Sequence, residues 1–266
     1  MTPRFPETCW THGSQASQAE DTQSFELSLR DLAMETSCGS TVEEPLERIL
    51  SADGTPLSMF VPDNYEPGYP YPLVIWLHGA GGGDQEIDQI MPQISDRNMF
   101  GIGLRGNRRT TLAAYGQSTW SDDPADVTTL ADTLYETVCN VRRLFHIHSE
   151  RIFLAGCDQG ATLATRLLLE YPNWFAGLLS VGGEIPGIAN PLAKFRQLQG
   201  KRVLVGSCPE RRNQHTKSML LARVLNSAGM QVTIRRCADL RFESATLLRD
   251  ANHWILRSLN NATLIS

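Results

Sequence analysis

The chain has 266 residues, 41% of them hydrophobic and 20% charged, with a formal net charge of −5. That length holds one large α/β domain with a full core, and the acidic balance argues against a protein that grips nucleic acid through a basic surface. No apolar run reaches the ~18 residues of a membrane span, and the N-terminus lacks the apolar stretch of a secretion signal.

Residues 1–44 are rich in Ser, Thr, Gln and Glu and read as a polar, flexible tail, with a short amphipathic helix near 25–34. The domain proper is expected over 45–266. "RILSAD" and "PLSMFVP" flank Asp53-Gly54, the signal of an antiparallel hairpin. "PLVIWLHG" (72–79) is a continuous apolar run, as in a strand buried on both faces, and "MFGIGLRG" (99–106) is a second strand. Asp123-Pro124 is an N-cap followed by proline at the first helical position. Val127, Leu130, Leu134, Val138 and Val141 then step along one helical face.

Downstream, "RIFLAG", "FAGLLSVGG", "KRVLVGSC" and "MQVTIRRC" read as strands. They alternate with helices over "ATLATRLLLEY", stopped by Pro172, "TKSMLLARVLNSAG", closed by Gly229, and "ESATLLRDANHWILRSL". Alternating strands and helices predict a mostly parallel central sheet covered by helices on both faces. The six cysteines form no C-x-x-C pair and read as thiols of a reducing cytoplasm.

Two glycine-rich turns carry chemistry. His78-Gly79-Ala80-Gly81-Gly82-Gly83 follows an apolar strand, where such a loop offers backbone N–H groups to a developing oxyanion. Gly156-Cys157-Asp158-Gln159-Gly160 is a tight strand-to-helix turn that lifts its middle side chain to the carboxyl edge of the sheet. "GIGLRG" matches G-x-G-x-x-G by letter only, because "NRRTT" follows instead of an apolar-periodic helix.

"VIWLHGAGGG", "RIFLAGCDQGATLATRLLLEYPNWFAGLLSVGG" and "VLNSAGMQVTIRRC" resemble the phospholipase/carboxylesterase branch of the α/β-hydrolase superfamily, over roughly residues 46–259. The resemblance implies a single α/β-hydrolase domain, no cofactor, and a small ester-like ligand. It puts the backbone N–H groups of Ala80 and Gln159 in the oxyanion hole. It places Asp158 at the nucleophile position, Glu210 as the nearest carboxylate to the acid position, and "CADLRFES" (237–244) where the histidine belongs. In the family the loops of Arg105, Asn107 and Trp120 border the substrate cleft.

Asp158 and the missing histidine point to a scaffold that has lost ester hydrolysis. A carboxylate attacking an ester gives an anhydride, which expels a poorer leaving group than itself. The alternative is attack on an sp³ carbon, as in haloalkane dehalogenases and epoxide hydrolases of the same superfamily. Their alkyl-ester intermediate needs a histidine-activated water, and His215, after the acid strand, is the candidate substitute base. Conventional ester hydrolysis is the third reading. His253 reads as a packing residue and His78 as a shaper of its loop. His146 and His148 fall at the opposite edge of the sheet, and Cys157 reads as a small buried residue.

Overall fold

The computed structural model describes residues 49–50, 56–109, 118–190, 193–237 and 245–262. The expected tail, the Asp53-Gly54 turn and most of "CADLRFES" lie outside these residues. In chain order the elements are β1 (Ile49–Leu50), β2 (Pro56–Phe60), β3 (Tyr71–Leu77), α1 (Glu86–Ile94), β4 (Phe100–Leu104), β5 (Arg108–Arg109) and β6 (Ser118–Thr119). They continue with α2 (Pro124–Leu144), β7 (Ile147–Cys157), α3 (Gln159–Glu170), β8 (Gly177–Val181) and α4 (Phe195–Leu198). The last are β9 (Arg202–Ser207), α5 (Arg212–Ser227), β10 (Gln231–Arg236) and α6 (Ala245–Ala262).

Eight strands form one sheet in the order β1-β2-β4-β3-β7-β8-β9-β10. β2 pairs antiparallel with β1 and β4, and every pair from β4 to β10 is parallel. β5 and β6 make a separate two-stranded ribbon.

The alternation of side chains along each strand divides the interior into two layers. Leu73, Ile75, Leu77, Leu154, Leu178, Val203 and Val205 pack with Leu134, Leu167 and Leu221 of α2, α3 and α5. Val74, Trp76, Phe153, Ala155, Leu179 and Leu204 face the other way, against Ile87 and Met91 of α1 and Leu248 and Trp254 of α6. All seven residues of β3 are buried, the signature of a strand covered on both sides.

The helices start where short-range chemistry allows. Asp123 accepts the Ala125 N–H at 2.9 Å and caps α2, with Pro124 at its first position. α3 begins at Gln159 and α5 at Arg212, each earlier than the apolar stepping in the sequence suggests, so His215 lies in the first turn of α5. Gly229, at φ 76°, ends that helix region.

The sequence pattern assigns no element to 84–98, where α1 buries Ile87, Ile90, Met91 and Ile94. Those four residues keep helical spacing, but Pro92 inside α1 removes one helical hydrogen bond and reads as a helix breaker. Among the described residues no helix is long and apolar enough to cross a membrane.

Candidate active site

β7 ends at Cys157, and the chain reverses into α3 through Asp158. Asp158 sits at φ 53° and ψ −116°, in the left-handed region that only Asn64 shares among the described non-glycine residues. Such a conformation costs about 1–3 kcal/mol and persists only where its surroundings enforce it. Here the Asp158 N–H donates to Val181 O at 2.8 Å, and Thr162 donates to Asp158 O from its N–H at 3.1 Å and its hydroxyl at 3.2 Å. Gly160 permits the turn. A Cβ there would lie 2.1 Å from the Leu77 carbonyl oxygen and 2.3 Å from that of His78. The turn therefore locks against the end of β3, and the Asp158 side chain is left exposed at the carboxyl edge of the sheet.

The glycine loop after β3 stands beside it. A Cβ on Gly79 would come within 3.6 Å of the Asp158 Cβ. His78 is fully buried and holds the loop in shape. Its Nε2 accepts the Gly106 N–H at 3.0 Å and meets the Ser118 hydroxyl at 3.1 Å, while its carbonyl accepts the Trp120 indole N–H at 2.8 Å. Burial lowers its pKa. Gly81 N–H donates to Ser118 O at 3.0 Å, and Gly82 N–H to Gly79 O at 3.1 Å. The N–H groups of Ala80 and Gln159 have no acceptor among the described residues. The Gln159 side chain instead ties α3 to the β6 segment. Its Oε1 accepts from the Thr119 hydroxyl at 2.5 Å and the Trp120 N–H at 3.2 Å, and its Nε2 donates to Trp120 O at 2.9 Å.

The third side of the site is the start of α5. Gln214 donates its amide N–H to Asp158 Oδ1 and to Gly182 O, the latter at 3.2 Å. His215, one residue on, has its Nδ1 2.7 Å from the Ser207 hydroxyl. Among the described residues no imidazole hydrogen-bonds to Asp158. Glu210 is exposed and accepts from the Cys208 thiol at 3.1 Å, which lowers the pKa of its carboxyl.

The Asp158 turn, the β6 segment, the loop after β8 and the start of α5 line a cleft of about 1060 Å³, with Asp158, Gln159, Trp120 and Gln214 in its wall. Five cationic side chains and three carboxylates line it. Several charges are already matched within the wall, as Lys217 with Glu184 at 2.6 Å and Arg166 with the neighbouring Glu170 at 2.8 Å.

Other sequence-singled residues lie elsewhere. Arg105 pairs with the buried Asp84 at 2.9 Å, and Asn107 accepts the Ser121 N–H, so both shape the loops behind the cleft. Cys157 is buried in the α1/α6 layer, and burial, aided by Asp158 and Glu86, pushes its thiol up to about 12. His146 and His148 sit at the start of β7, away from the cleft, and no group of three ligand-type side chains gathers there among the described residues. His253 is exposed on α6, correcting the packing role expected for it; the neighbouring Trp254 is the buried one.

Two residues of consequence escape the sequence reading. Gln214 looks like a surface residue until the α5 start brings it to Asp158, 56 positions away in the chain. Glu86 sits beneath the glycine loop, accepting from the Trp76 indole at 2.9 Å, and burial raises its carboxyl to about 7.

No protein-family model matches the sequence. Among curated proteins it is 27% identical over 128 residues to the candidate esterase NocK of Nocardia uniformis subsp. tsuyamanensis. The match covers 47% of this chain and 36% of that protein. Solved structures of similar architecture include the Bacillus cereus carboxylesterase, at TM-score 0.57 and 18% identity over 77% of this chain and 94% of that one. TT1662 from Thermus thermophilus superimposes at TM-score 0.60 and 17% identity, over 80% and 97%. A carboxylesterase from Mesorhizobium loti gives 0.58 and 13%, over 74% and 93%. With its mostly parallel sheet and its two glycine-rich turns, the chain has an α/β-hydrolase fold, similar to that of these solved carboxylesterases.

Proposed function

We propose that this chain is a non-hydrolysing representative of the esterase-like fold, whose cleft binds a small ester-like molecule without turning it over. The observation that carries this reading is the hydrogen bond from Gln214 to Asp158. At the position where acyl transfer needs a nucleophile and its base, the chain presents a carboxylate held by a neutral carboxamide. A carboxamide cannot take up a proton at neutral pH, so it cannot serve as general base. The Gln159 N–H supports the binding half of the reading, since Gln159 lines the cleft and its N–H, without an acceptor among the described residues, suits a carbonyl oxygen.

A second reading has one observation in its favour. Asp158 is exposed on a strained turn, where a carboxylate can reach an sp³ carbon in line. It requires His215 to leave Ser207 and activate water for the second step.

Intact-mass measurement after incubation with a fluorophosphonate, and separately with haloalkanes and epoxides, distinguishes the two. The non-hydrolysing reading predicts an unmodified protein and no alcohol product in every case, whereas the second predicts an alkyl adduct or its released alcohol. An alkyl adduct mapped to Asp158 overturns it in favour of the second reading. A fluorophosphonate adduct overturns both.

A further inference from the structure

β9 and β10 lie side by side with Leu204 opposite Thr233 and Gly206 opposite Arg235. Their ladder runs on past the last paired residues, because the Cys237 N–H donates to Ser207 O at 3.0 Å. Carried one residue further, the same register sets Cys208 beside Cys237. Side chains alternate along strands, so both point to the face of Leu204 and Thr233. Their packing agrees, since both join the core layer of Leu204, Leu247 and Trp254. Neighbouring strands run ~4.8 Å apart, within the ~4.4–6.8 Å Cα separation that a disulfide bridges. Both residues are thiols in this structure. Cys157 ends a strand on the same face, but β8 separates it from β9, with Val181 between Cys157 and Gly206.

We propose that Cys208 and Cys237 form a redox modification site that closes to an intramolecular disulfide under peroxide. The Cys208 thiol donates to Glu210 Oε2 at 3.1 Å, and Glu210 is exposed, so a hydrogen-bonded route leads the thiol proton from this buried sulfur to solvent. The Cys208 thiolate attacks one oxygen of hydrogen peroxide. The O–O bond breaks, Cys208 becomes a sulfenic acid, and the departing hydroxide leaves as water with the released proton. The Cys237 sulfur then attacks the sulfenic sulfur. The S–O bond breaks, and the hydroxyl leaves as a second water with the Cys237 proton. Two thiols and one hydrogen peroxide thus give one disulfide and two waters.

Exposures of 1% for Cys208 and 6% for Cys237 favour an oxidant as small as peroxide over a bulky disulfide reagent. The bridge ties the end of the edge strand to the residue that opens the segment bearing Glu210 and Gln214.

Peptide mapping of the full chain under non-reducing conditions, after hydrogen peroxide and alkylation of remaining thiols, tests the proposal. The expected product is a cross-linked peptide pair containing Cys208 and Cys237, lighter by two hydrogens and resolved by dithiothreitol. It persists in Cys157→Ala and Cys139→Ala and disappears in Cys237→Ala, where Cys208 stops at a sulfenic acid trapped by dimedone. The mapping of the unaltered protein stands by itself if a variant misfolds. Both thiols alkylated after peroxide, or a bridge from either cysteine to a different partner, overturns it.

Discussion

At the scale of single residues, Asp158 and Gln214 carry the argument. The turn at Asp158 is fixed by its packing against β3, so a hydroxyl placed there keeps the same surroundings. Asp158→Ser places its Oγ beside Gln214, with the His215 Nδ1 on the Ser207 hydroxyl and no imidazole bonded at that position among the described residues. We predict that Asp158→Ser folds and takes no fluorophosphonate label; rapid labelling would show that a base reaches the elbow after all. Glu86 and Asp88 make a second prediction. Burial raises their carboxyls to about 7 and about 6, with the nearby Asp84 adding to the rise for Asp88. A carboxyl whose folded pKa is raised stabilises the fold below its unfolded pKa near 4.5 or 3.8, and that stability is lost as pH climbs through the folded values. Stability should therefore fall between about pH 4 and 7, by on the order of 1–2 kcal/mol after solvent screening. Glu86→Gln should flatten about half of that slope in thermal melts across the range, and an unchanged slope would remove Glu86 as a source.

At the scale of elements, the elbow is a packing joint between β3, β7 and α3. Gly160 admits the carbonyl oxygens of Leu77 and His78 into the space of a side chain, and both are backbone atoms that cannot swing aside. Gly160→Ala should cost about 3 kcal/mol in urea unfolding, whereas Gly68→Ala, with nothing within 4 Å of its Cβ, serves as the neutral comparison. Equal midpoints for the two variants would show that the joint is looser than the geometry indicates. The strands of this joint are legible in the sequence because burial on both faces turns them into continuous apolar runs, as in "PLVIWL". α1 is passed over because Pro92 falls inside it, although Ile87, Ile90, Met91 and Ile94 keep helical spacing. The ribbon of β5 and β6 is too short, at two residues each, to leave any periodicity.

At the scale of the molecule, the sheet order brings three chain-distant segments to one edge: the 78–83 loop, the 156–160 turn and the start of α5. The first two announce themselves through glycine, because a close backbone approach leaves a mark in composition. The third leaves none. Gln214 meets Asp158 only through tertiary packing, and nothing in "ERRNQH" tells which side chain of that first turn faces the cleft. Sequence alone thus singles out Asp158, while the structure reveals Gln214 as its partner. The central claim is that this site does not hydrolyse esters, and steady-state turnover across an ester and thioester panel tests it most directly, with Asp158→Asn measured alongside. The account predicts rates equal to the buffer blank for both proteins; turnover by the unaltered chain that vanishes in Asp158→Asn would contradict it.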